Sequence, residues 1–327
     1  KSLTTPMQLN IFANILTAIE RGCEYFVMEV SSHAIAQKRI EGLSFALKII
    51  TNITQDHLDF HKTFENYRDT KNEFLADETP KLINIDDENI VFNQKNAKTY
   101  GLEKHADYKV GAYSLNEGIF AVFENEGKPC SFHASMAGVF NIYNLTAAIA
   151  AVHMLTGDEL ASICENVENF GGVGGRMEMV STNPFVVVDF AHTPDGIAKV
   201  LEALGGSKIT VVFGAGGDRD AGKRPLMGKE AALRAAKLIV TSDNPRSENP
   251  SAIIEDILTG IEDRSKVCVI EDRYEAIKKA IIEQQEGEIV AILGKGDETS
   301  QIFKDRTIHF DDREIARDIL KQKFQSA

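Results

Sequence analysis

The segment Thr51–Lys71 concentrates side chains that can bind metal ions or transfer protons. It follows the apolar run Ser44–Ile50, which predicts a buried strand. Open α/β sheets bind ligands at the carboxyl ends of their strands, so polar residues at this point predict a site. A solvated loop between strand and helix would have a similar composition. The side chains concerned are those of Asn52, Asp56, His57, Asp59, His61 and Lys71.

Glu29 and His57 each follow a predicted strand, at Tyr25–Val30 and Ser44–Ile50 respectively. If these strands are neighbours, the carboxylate and the imidazole can together hold a divalent cation. Mg²⁺ in particular takes only one or two protein ligands and completes its shell with phosphate oxygens and water. The alternative is that Glu29 caps a turn and His57 hydrogen-bonds a backbone carbonyl, and the residues alone leave both readings open.

Lys71 lies in a helix predicted from about Thr63 to Ala76, four residues after Tyr67 and therefore on the same face. An ammonium group beside a metal ion is electrostatically unfavourable unless an anion pairs with it. Carbamylation would change the charge from positive to negative and would provide two oxygen atoms. The sequence pattern by itself favours an ordinary surface lysine.

Three polar loops rich in glycine or proline follow predicted strands in the second half of the chain, so they are expected to converge on one rim. These loops are Gly214–Asp220, Asp243–Arg246 and Gly294–Glu298. Arg219 and Arg246 could clamp a carboxylate, while Asp243 and Glu298 could receive an ammonium group. Together they predict a pocket for a zwitterion, and the alternative is three ordinary turns.

The segment Asp189–Asp195 joins the first strand of this half to its first helix. It either contacts a nucleotide or forms a helix N-terminus capped by Thr193, with Pro194 in the first turn. The two readings are compatible with each other.

The elements that position these residues indicate an α/β protein of two domains. The first, residues 1–174, is predicted to have a mainly parallel sheet with an antiparallel flap at Asp107–Ser135, whose turns lie at Asn116–Gly118 and Glu126–Gly127. The glycine-rich Phe170–Glu178 is the predicted boundary or hinge. The second domain, residues 175–327, alternates strands with helices and is predicted to be doubly wound and Rossmann-like. Its strands are expected at Phe185–Val188, Ile209–Phe213, Leu238–Thr241, Val267–Ile270 and Ile289–Leu293.

Composition argues against several classes of protein. The net charge of −13 over 327 residues leaves no basic stripe for a duplex, so we expect no nucleic-acid partner. No apolar stretch approaches the roughly 20 residues of a membrane span, and no secretory signal opens the chain, so we expect no membrane association. The four cysteines are scattered without a CxxC pair, which is typical of reduced thiols in a cytoplasmic protein.

Together these motifs resemble the Mur ligases, the ATP-dependent amino-acid ligases that build the peptide of peptidoglycan. The matching pieces run in family order over essentially the whole chain. They are LTTP, EVSSHAIAQKRI, TNITQDHLDFH, YRDTK, GVFNIYN, GRME, DFAHTPD, FGAGGDRDAGKRP, TSDNPR, GKGDE and FDDRE. DNPR is similar to the version that selects meso-2,6-diaminopimelate, whose second carboxylate needs a cationic fork; lysine-adding relatives lack that arginine.

The resemblance implies a monomeric, cytoplasmic amide ligase of peptidoglycan precursor synthesis, and thereby of cell-wall biogenesis, cell shape and cell division. Its small-molecule substrates would be ATP, meso-2,6-diaminopimelate and UDP-N-acetylmuramoyl-L-alanyl-D-glutamate, with Mg²⁺ as cofactor and an acyl phosphate as intermediate.

The resemblance also implies roles for individual residues. Glu29 and His57 would hold Mg²⁺, and Lys71 would be carbamylated, making these three the catalytic set. The UDP-muramyl dipeptide would contact Thr4, Thr5, Ser31, Gln37 and Arg39. ATP would be approached by Asn144, Arg176, Asp189 and His192. Diaminopimelate would be bound by Arg219, Asp243, Asn244, Pro245, Arg246, Gly294 and Glu298.

Two departures from the family pattern stand out. The usual GKGHE is GKGDE here, so Asp297 adds negative charge beside the expected ammonium site. No GxxxxGK[ST] sequence occurs in the chain, whereas the family has its P-loop just before the TTP segment, after a uridine-binding domain. We therefore expect a truncated or proteolysed form that is nearly inactive by itself, because the Walker lysine and its backbone cradle are missing.

Three other functions remain to be weighed. Another ligase of the superfamily, lysine-adding or similar to folylpolyglutamate synthetase, would differ in its amino-acid substrate. A metal-dependent hydrolase could use Asp56, His57, Asp59 and His61 and would bind a transition metal tightly. A dinucleotide-binding module is disfavoured by the glycine spacing in the second half.

Overall fold

The computed structural model describes residues 3–115, 118–205 and 208–325. Two compact units are present. The first comprises Lys1–Ala112, Val122–Cys130 and Tyr143–Ile163, and the second comprises Tyr113–Ala121, Ser131–Ile142 and Cys164–Ala327.

The α-helices are α1 Gln8–Glu20, α2 Ser32–Ala36, α3 Leu58–His61, α4 Phe64–Glu73, α5 Val139–Thr156, α6 Leu160–Val167, α7 Pro194–Ala203, α8 Lys223–Arg234, α9 Pro250–Leu258, α10 Arg273–Ile282 and α11 Asp312–Gln325. The strands are β1 Lys48–Ile50, β2 Lys81–Asn84, β3 Ala97–Gly101, β4 Tyr108–Ser114, β5 Ile119–Asn125, β6 Lys128–Ala134, β7 Glu178–Thr182, β8 Phe185–Asp189, β9 Lys208–Phe213, β10 Lys237–Val240, β11 Val267–Val269, β12 Glu288–Leu293, β13 Ser300–Ile302 and β14 Thr307–His309.

The first sheet has the order β1-β2-β3-β4-β5-β6, and its first four strands are parallel. β5 alternates buried and more exposed residues, as a strand covered on one face does. Glu126 and Gly127, both with positive φ, join β5 to β6, and so short a connection makes that pair antiparallel. A mainly parallel sheet with an antiparallel flap is thereby confirmed, while the other predicted turn includes Asn116 and Glu117, outside the described residues.

The predicted strand at Tyr25–Val30 is wrong. The segment is irregular, and Val27 is 92% exposed. A strand exists only where a neighbour completes its hydrogen-bond ladder. Within the described ranges, β1 is an edge strand with β2 as its sheet neighbour, and no strand pairs with Tyr25–Val30.

The second large sheet has the order β11-β10-β9-β12-β8-β7, parallel except for β7, which runs antiparallel to β8. Alternate strand residues face two cores. One core holds the apolar residues of α7, α8 and α9, and the other those of α10 and α11. Helices therefore cover both faces, which confirms the doubly wound prediction.

This strand order sets the position of the predicted rim. β12 returns to lie between β9 and β8. The connections after β8 and β9 lead to α7 and α8 on one face of the sheet, whereas the chain after β12 leads to α11 on the other face. Such a switch point creates a crevice at the carboxyl ends of the strands. The loops after β8, β9, β10 and β12 all leave the sheet at this edge.

Helix α5 is long and apolar enough to cross a membrane, judged by length and composition alone. Within the protein it is 44% buried, and Leu145, Ile149 and Ala150 are almost fully covered. A core helix passes the same test, so this feature is weak evidence of membrane insertion.

Candidate active site

Thr5 ties the N-terminal residues to the segment that follows Val30. Its hydroxyl donates to the Glu29 carbonyl at 2.9 Å and accepts the Ser31 N–H, also at 2.9 Å. Its own carbonyl accepts a hydrogen bond from Arg39 Nη1 at 2.9 Å, and Arg39 Nε donates to Gln37 Oε1 at 3.0 Å. Thr5, Ser31, Gln37 and Arg39 therefore form one connected cluster.

The other two polar residues of this region are open to solvent. The side chains of Thr4 and Glu29 are exposed. For Glu29 the backbone is fixed through the Thr5 hydroxyl, whereas the carboxylate projects from an irregular segment. The carboxylate is thus accessible to a cation in water.

His57 occupies a left-handed backbone position, with φ of 55°, immediately before α3. Asp56 accepts the His57 N–H at 2.9 Å, and its other carboxylate oxygen lies 3.5 Å from His57 Nε2. The His33 ring of α2 lies edge-on to the His57 ring, with centroids 4.8 Å apart. The segment before α3 and the segment of Ser31 are therefore packed against each other.

His61 ends α3, and its ring packs against the rings of His33 and Tyr67, at 5.7 and 5.4 Å between centroids. It is buried, and its Nε2 lies 2.9 Å from the Ser32 hydroxyl. Burial lowers the pKa of His61, and the neighbouring His33 lowers it further. The Ser32 hydroxyl thus occupies one ring nitrogen of this buried side chain, which indicates a structural role for His61.

Lys71 lies on α4 and reaches back to the strand-end segment. Its Nζ donates to the Asn52 carbonyl at 3.1 Å and lies 5.5 Å from the centre of the Tyr67 ring. Burial lowers the pKa of Lys71, while the charges of Asp87 and Asp56 act in the opposite direction. A lowered pKa makes the neutral, nucleophilic amine more accessible than on an ordinary surface lysine.

A metal ion would find few ligands already assembled. Over residues 3–115, 118–205 and 208–325 no group of three or more His, Cys, Asp or Glu side chains is arranged to hold a metal. The transition-metal cluster of the hydrolase alternative is therefore not assembled here. Mg²⁺ is compatible with the residues present, because one carboxylate such as Glu29 with substrate phosphate and water suffices.

In the second unit, Asp189 ends β8 and is 6% exposed. Its carboxylate accepts the N–H groups of Met177 and Ala191, both at 2.7 Å. Burial raises the pKa of Asp189 despite these two bonds. This carboxylate therefore ties the backbone after Phe190, at Ala191, to the GRME segment, at Met177.

Arg176 and His192 gather around Phe190. The Arg176 guanidinium stacks 4.2 Å from the ring centre, and the His192 ring lies edge-on at 4.6 Å. The Thr193 hydroxyl caps α7 by accepting the Gly196 N–H at 3.1 Å, which confirms the predicted helix N-terminus. Asn144, the fourth residue expected near ATP, is exposed on α5 and belongs to the first unit.

The loops after β9 and β10 touch at the rim. Arg246, with φ of 53°, donates from Nη1 to the Gly217 carbonyl at 2.7 Å. A Cβ on Gly217 would lie 1.9 Å from the Pro245 carbonyl oxygen, so only glycine fits this approach. Burial lowers the pKa of Arg246, and the positive charge of the exposed Arg219 lowers it further. A Cβ on Gly216 would lie 2.8 Å from Arg246 Nη1 and 3.6 Å from Arg219 Cγ, so the two arginine side chains are neighbours.

The acidic side of the rim joins the loops after β10 and β12. Asp243 is buried, and a Cβ on Gly294, whose φ is 115°, would lie 2.8 Å from Asp243 Oδ2. Asn244 donates from Nδ2 to Glu298 Oε2 at 2.7 Å. The charges of Asp243 and Glu298 also act on Arg246. The structure therefore brings all seven residues implied for diaminopimelate onto one rim of the second unit.

Sequence reasoning missed the side chains that support this rim from below. Lys295 is fully buried, and Gln301, 4% exposed, donates to the Asp243 carbonyl at 2.8 Å. Arg273 and Asp312 form a fully buried ion pair at 2.7 Å. Lys295 could have been noticed as the cation within GKGDE, whereas Gln301 and Arg273 carry no local signal.

Asp297, which replaces the family's histidine, is exposed. Its carbonyl lies 3.5 Å from Arg313 Nη2. Its carboxylate is therefore open to solvent, and its charge contributes to raising the pKa of Arg313.

Comparison with known proteins finds two matching domains. The Mur ligase middle domain matches residues 1–152, and the Mur ligase glutamate ligase domain matches residues 175–296. The UDP-N-acetylmuramoyl-L-alanyl-D-glutamate--2,6-diaminopimelate ligase of Helicobacter pylori is 52% identical over 326 residues, covering 97% of this chain and 73% of that protein. The protein of the same name from Wolinella succinogenes is 53% identical over 314 residues, covering 96% and 72%.

A solved structure of a protein with the same name is also similar to this chain. A UDP-N-acetylmuramoyl-L-alanyl-D-glutamate--2,6-diaminopimelate ligase superposes with a TM-score of 0.63 and 32% identity, covering 98% of this chain and 69% of that one. Sequence identity over nearly the whole chain and the shared fold lead to one conclusion: this chain belongs to the Mur ligase family.

Proposed function

We propose that this chain acts in the ATP-dependent addition of meso-2,6-diaminopimelate to UDP-N-acetylmuramoyl-L-alanyl-D-glutamate. The observation that carries this proposal is the rim of the second unit. There the side chains of Arg219 and Arg246 meet at Gly216, Asp243 approaches Gly294, and Glu298 accepts a hydrogen bond from Asn244. Diaminopimelate presents a carboxylate and an ammonium at each end, and this rim offers a partner for both. The names of the H. pylori and W. succinogenes relatives support the same substrate.

In the first unit, the cluster around Thr5 is proposed to contact the UDP-muramyl dipeptide. Ser31, Gln37 and Arg39 offer hydroxyl, amide and guanidinium groups, and Thr4 adds an exposed hydroxyl. Because the Thr5 hydroxyl already joins two backbone groups, its role is to hold this surface in shape.

The phosphate-handling residues are proposed to be Glu29, His57 and Lys71. Mur ligases use ATP and, in general, Mg²⁺, which when bound would neutralise phosphate charge. Glu29 and His57 would supply the carboxylate and imidazole ligands. A carbamate on Lys71 would turn a cation into an anion on the same segment, and its half-buried amine near the Asn52 carbonyl supports this assignment.

ATP is proposed to meet Arg176, Asp189 and His192 of the second unit. Asn144, which the family resemblance also implies, is exposed on α5. The stack of Arg176 on Phe190 fixes a planar cation beside the buried Asp189 carboxylate. We also propose the division into residues 1–174 and 175–327, supported by the start of the second family match at residue 175.

The proposed chemistry has two steps. A carboxylate oxygen of the D-glutamate side chain attacks the γ-phosphorus of ATP, the bond to ADP breaks, and an acyl phosphate forms. The neutral amine of diaminopimelate then attacks the acyl carbon, loses a proton, and expels inorganic phosphate from the tetrahedral intermediate. The protein's share is positioning and charge neutralisation, as in phosphoryl transfer generally.

We propose a monomeric cytoplasmic protein whose partners are small molecules, without nucleic acid or membrane. The net charge of −13 supports the absence of a polyanionic partner. Light scattering at several protein concentrations tests the first point, since a mass that rises above one chain would contradict it.

Calorimetric titration with meso-2,6-diaminopimelate tests the proposal at its centre. We expect measurable binding of diaminopimelate and much weaker binding of L-lysine, because only the former supplies a second carboxylate for Arg246. Arg246→Ala should weaken diaminopimelate by roughly 2–5 kcal/mol, since it unpairs a buried charge, and leave ADP binding unchanged.

Arg306→Ala is the matched control, because Arg306 is 64% exposed on the β13–β14 turn. It should bind diaminopimelate like the unaltered chain. Equal affinity for lysine and diaminopimelate, or an Arg246→Ala variant that binds as well as the control, would contradict the proposal and favour a lysine-adding ligase.

A further inference from the structure

Lys295 is a charged residue with no access to solvent. It lies two residues after β12, and its side chain is 0% exposed. Its Nζ donates to Ser300 O at 2.6 Å, to Asn244 Oδ1 at 3.3 Å and to Glu298 Oε2 at 3.3 Å. An ammonium group has three N–H donors, so these three acceptors account for all of them.

This arrangement fixes the orientation of Asn244. Its Oδ1 accepts hydrogen bonds from Lys295 Nζ and from the Ile302 N–H, the latter at 2.9 Å. An amide oxygen that receives two donors leaves the NH₂ end pointing the other way, and here Nδ2 donates to Glu298 Oε2 at 2.7 Å. Lys295 and the Ile302 N–H therefore together determine which end of Asn244 meets Glu298.

Glu298 is held by the same two residues. Both hydrogen bonds, from Asn244 and from Lys295, end on Oε2, and the side chain is still 38% exposed. Oε1 is then the carboxylate oxygen that a ligand cation at the rim would meet. The buried cation also offsets part of the negative charge that Asp243 and Glu298 bring together next to Arg246.

We propose that Lys295 is a positioning residue of the amino-acid site, which presets Glu298 and Asn244 for the substrate ammonium without touching the substrate. This inference rests on the proposed function, since it assigns the rim to an amino acid with an ammonium group. It explains why a lysine is buried where a neutral residue would fill the space at lower desolvation cost.

The test is calorimetric titration of the whole chain with meso-2,6-diaminopimelate and, separately, with ADP. Lys295→Met keeps the length of the side chain and removes the charge and all three donors. We expect it to weaken diaminopimelate about tenfold or more, as loss of a donor to buried acceptors does, and to leave ADP within about twofold.

Lys266→Met is the matched control. Lys266 is partly buried and, like Lys295, donates to backbone carbonyls, here of Ala232 and Ala235. It directly precedes β11, so it lies at the end of the strands opposite the rim. It should bind diaminopimelate as the unaltered chain does. If Lys295→Met binds diaminopimelate as tightly as this control, or loses ADP and diaminopimelate equally, the proposal is overturned.

A double-mutant cycle separates positioning from general support of the fold. If Lys295 acts through Glu298, Lys295→Met should cost at least about threefold less affinity in a Glu298→Gln background than in the unaltered chain. Effects that simply multiply would overturn the assignment. Should Lys295→Met be unfolded at the assay temperature, Lys295→Gln takes its place. Because its amide keeps donors but not the charge, we expect a smaller loss of diaminopimelate affinity, again absent from Lys266→Met.

The two proposals fail in different ways. An unaltered chain that binds no diaminopimelate contradicts the proposed function. An unaltered chain that binds it normally, together with a Lys295 variant that does so equally well, contradicts only the role of Lys295.

Discussion

Two regions of the molecule are built in different ways. One is the amino-acid rim of the second unit, formed by the loops after β9, β10 and β12. The other is the phosphate-side segment of the first unit, which carries Glu29, His57 and Lys71. At the rim, Asp243 and Asn244 are buried, and Lys295 and Gln301 hold them from below. In the first unit, Glu29 is exposed on an irregular segment.

The comparison teaches that one of these sites is preorganised by the core and the other is not. The rim grows from the carboxyl ends of strands that are buried on both faces, so rigid elements fix its loops. The segment around Glu29 has no sheet ladder and depends on a few hydrogen bonds to Thr5. Specificity for an amino acid needs fixed partners, whereas ligands for a hydrated cation tolerate adjustment.

The largest effect should come from removing the charge that supports the rim. Asp312 and Arg273 are both 0% exposed, and Arg273 also donates to the Leu293 carbonyl at 2.9 Å, at the end of β12. Asp312→Asn leaves a buried guanidinium without its counter-charge, which typically costs about 3–5 kcal/mol. Urea unfolding followed by circular dichroism measures it, since the chain has no tryptophan.

Asp318→Asn serves as the control, because the Lys321–Asp318 pair is exposed, at 71% and 66%. An exposed pair contributes at most about 1 kcal/mol. If the two variants unfolded at the same urea concentration, the rim would not depend on its buried ion pair, and the contrast between the two regions would be lost.

An intermediate effect concerns the carbamylation of Lys71 in the phosphate-side segment. In buffer with ¹³C-labelled bicarbonate, we expect a carbamate carbonyl signal that comes from Lys71. Burial lowers the pKa of this amine, so its neutral form is available to attack CO₂. The signal should vanish in Lys71→Arg and on acidification, and should persist in Lys62→Arg. A signal that survives in Lys71→Arg, or none at all, would remove Lys71 from the proposed set.

The smallest effects concern one carboxylate of each unit near the carboxyl end of a strand, Asp86 after β2 and Asp189 at the end of β8. In the first unit, burial alone would raise the pKa of Asp86. The N–H groups of Leu102, Glu103 and Lys104, at 2.6, 2.9 and 2.7 Å, and the Tyr143 hydroxyl outweigh burial and hold the pKa below 3.8. Asp86 therefore stabilises the fold above pH 3.8, and this contribution is lost as the pH falls through its folded-state pKa.

Asp189 of the second unit should respond in the opposite direction. Burial raises its pKa above 3.8, so its contribution to stability is present below that pH and is lost as the pH rises through the raised value. Carboxyl ¹³C titration, assigned with Asp86→Asn and Asp189→Asn, should show Asp86 titrating at the lower pH. A reversed order would mean that hydrogen bonds, and not burial, dominate at Asp189.

Much of the second unit could be predicted from its sequence. β9 was expected at Ile209–Phe213 and lies at Lys208–Phe213, because a continuous apolar run between polar loops has few alternatives. The three rim loops were expected to lie together because parallel strands place their carboxyl ends at one edge of the sheet. The residue roles at the rim remain predictions.

The first unit was predicted less well. Tyr25–Val30 has the apolar pattern of a strand, yet pairing requires a neighbour that the pattern does not specify. β3, β7 and the β13–β14 hairpin were not anticipated, because short strands carry little periodic signal. The support that Ile302 gives to Asn244, at 2.9 Å, comes from that unanticipated hairpin.

The sequence by itself determined which side chains can do chemistry, the alternation that makes the second unit doubly wound, and the family to which the motifs belong. Tertiary structure alone decided that Lys295 is buried beneath Asn244 and Glu298, and that His61 faces Ser32. The physical reason is that periodicity records which face of an element avoids water. The partners of a buried polar group come instead from distant parts of the chain and depend on how the elements pack.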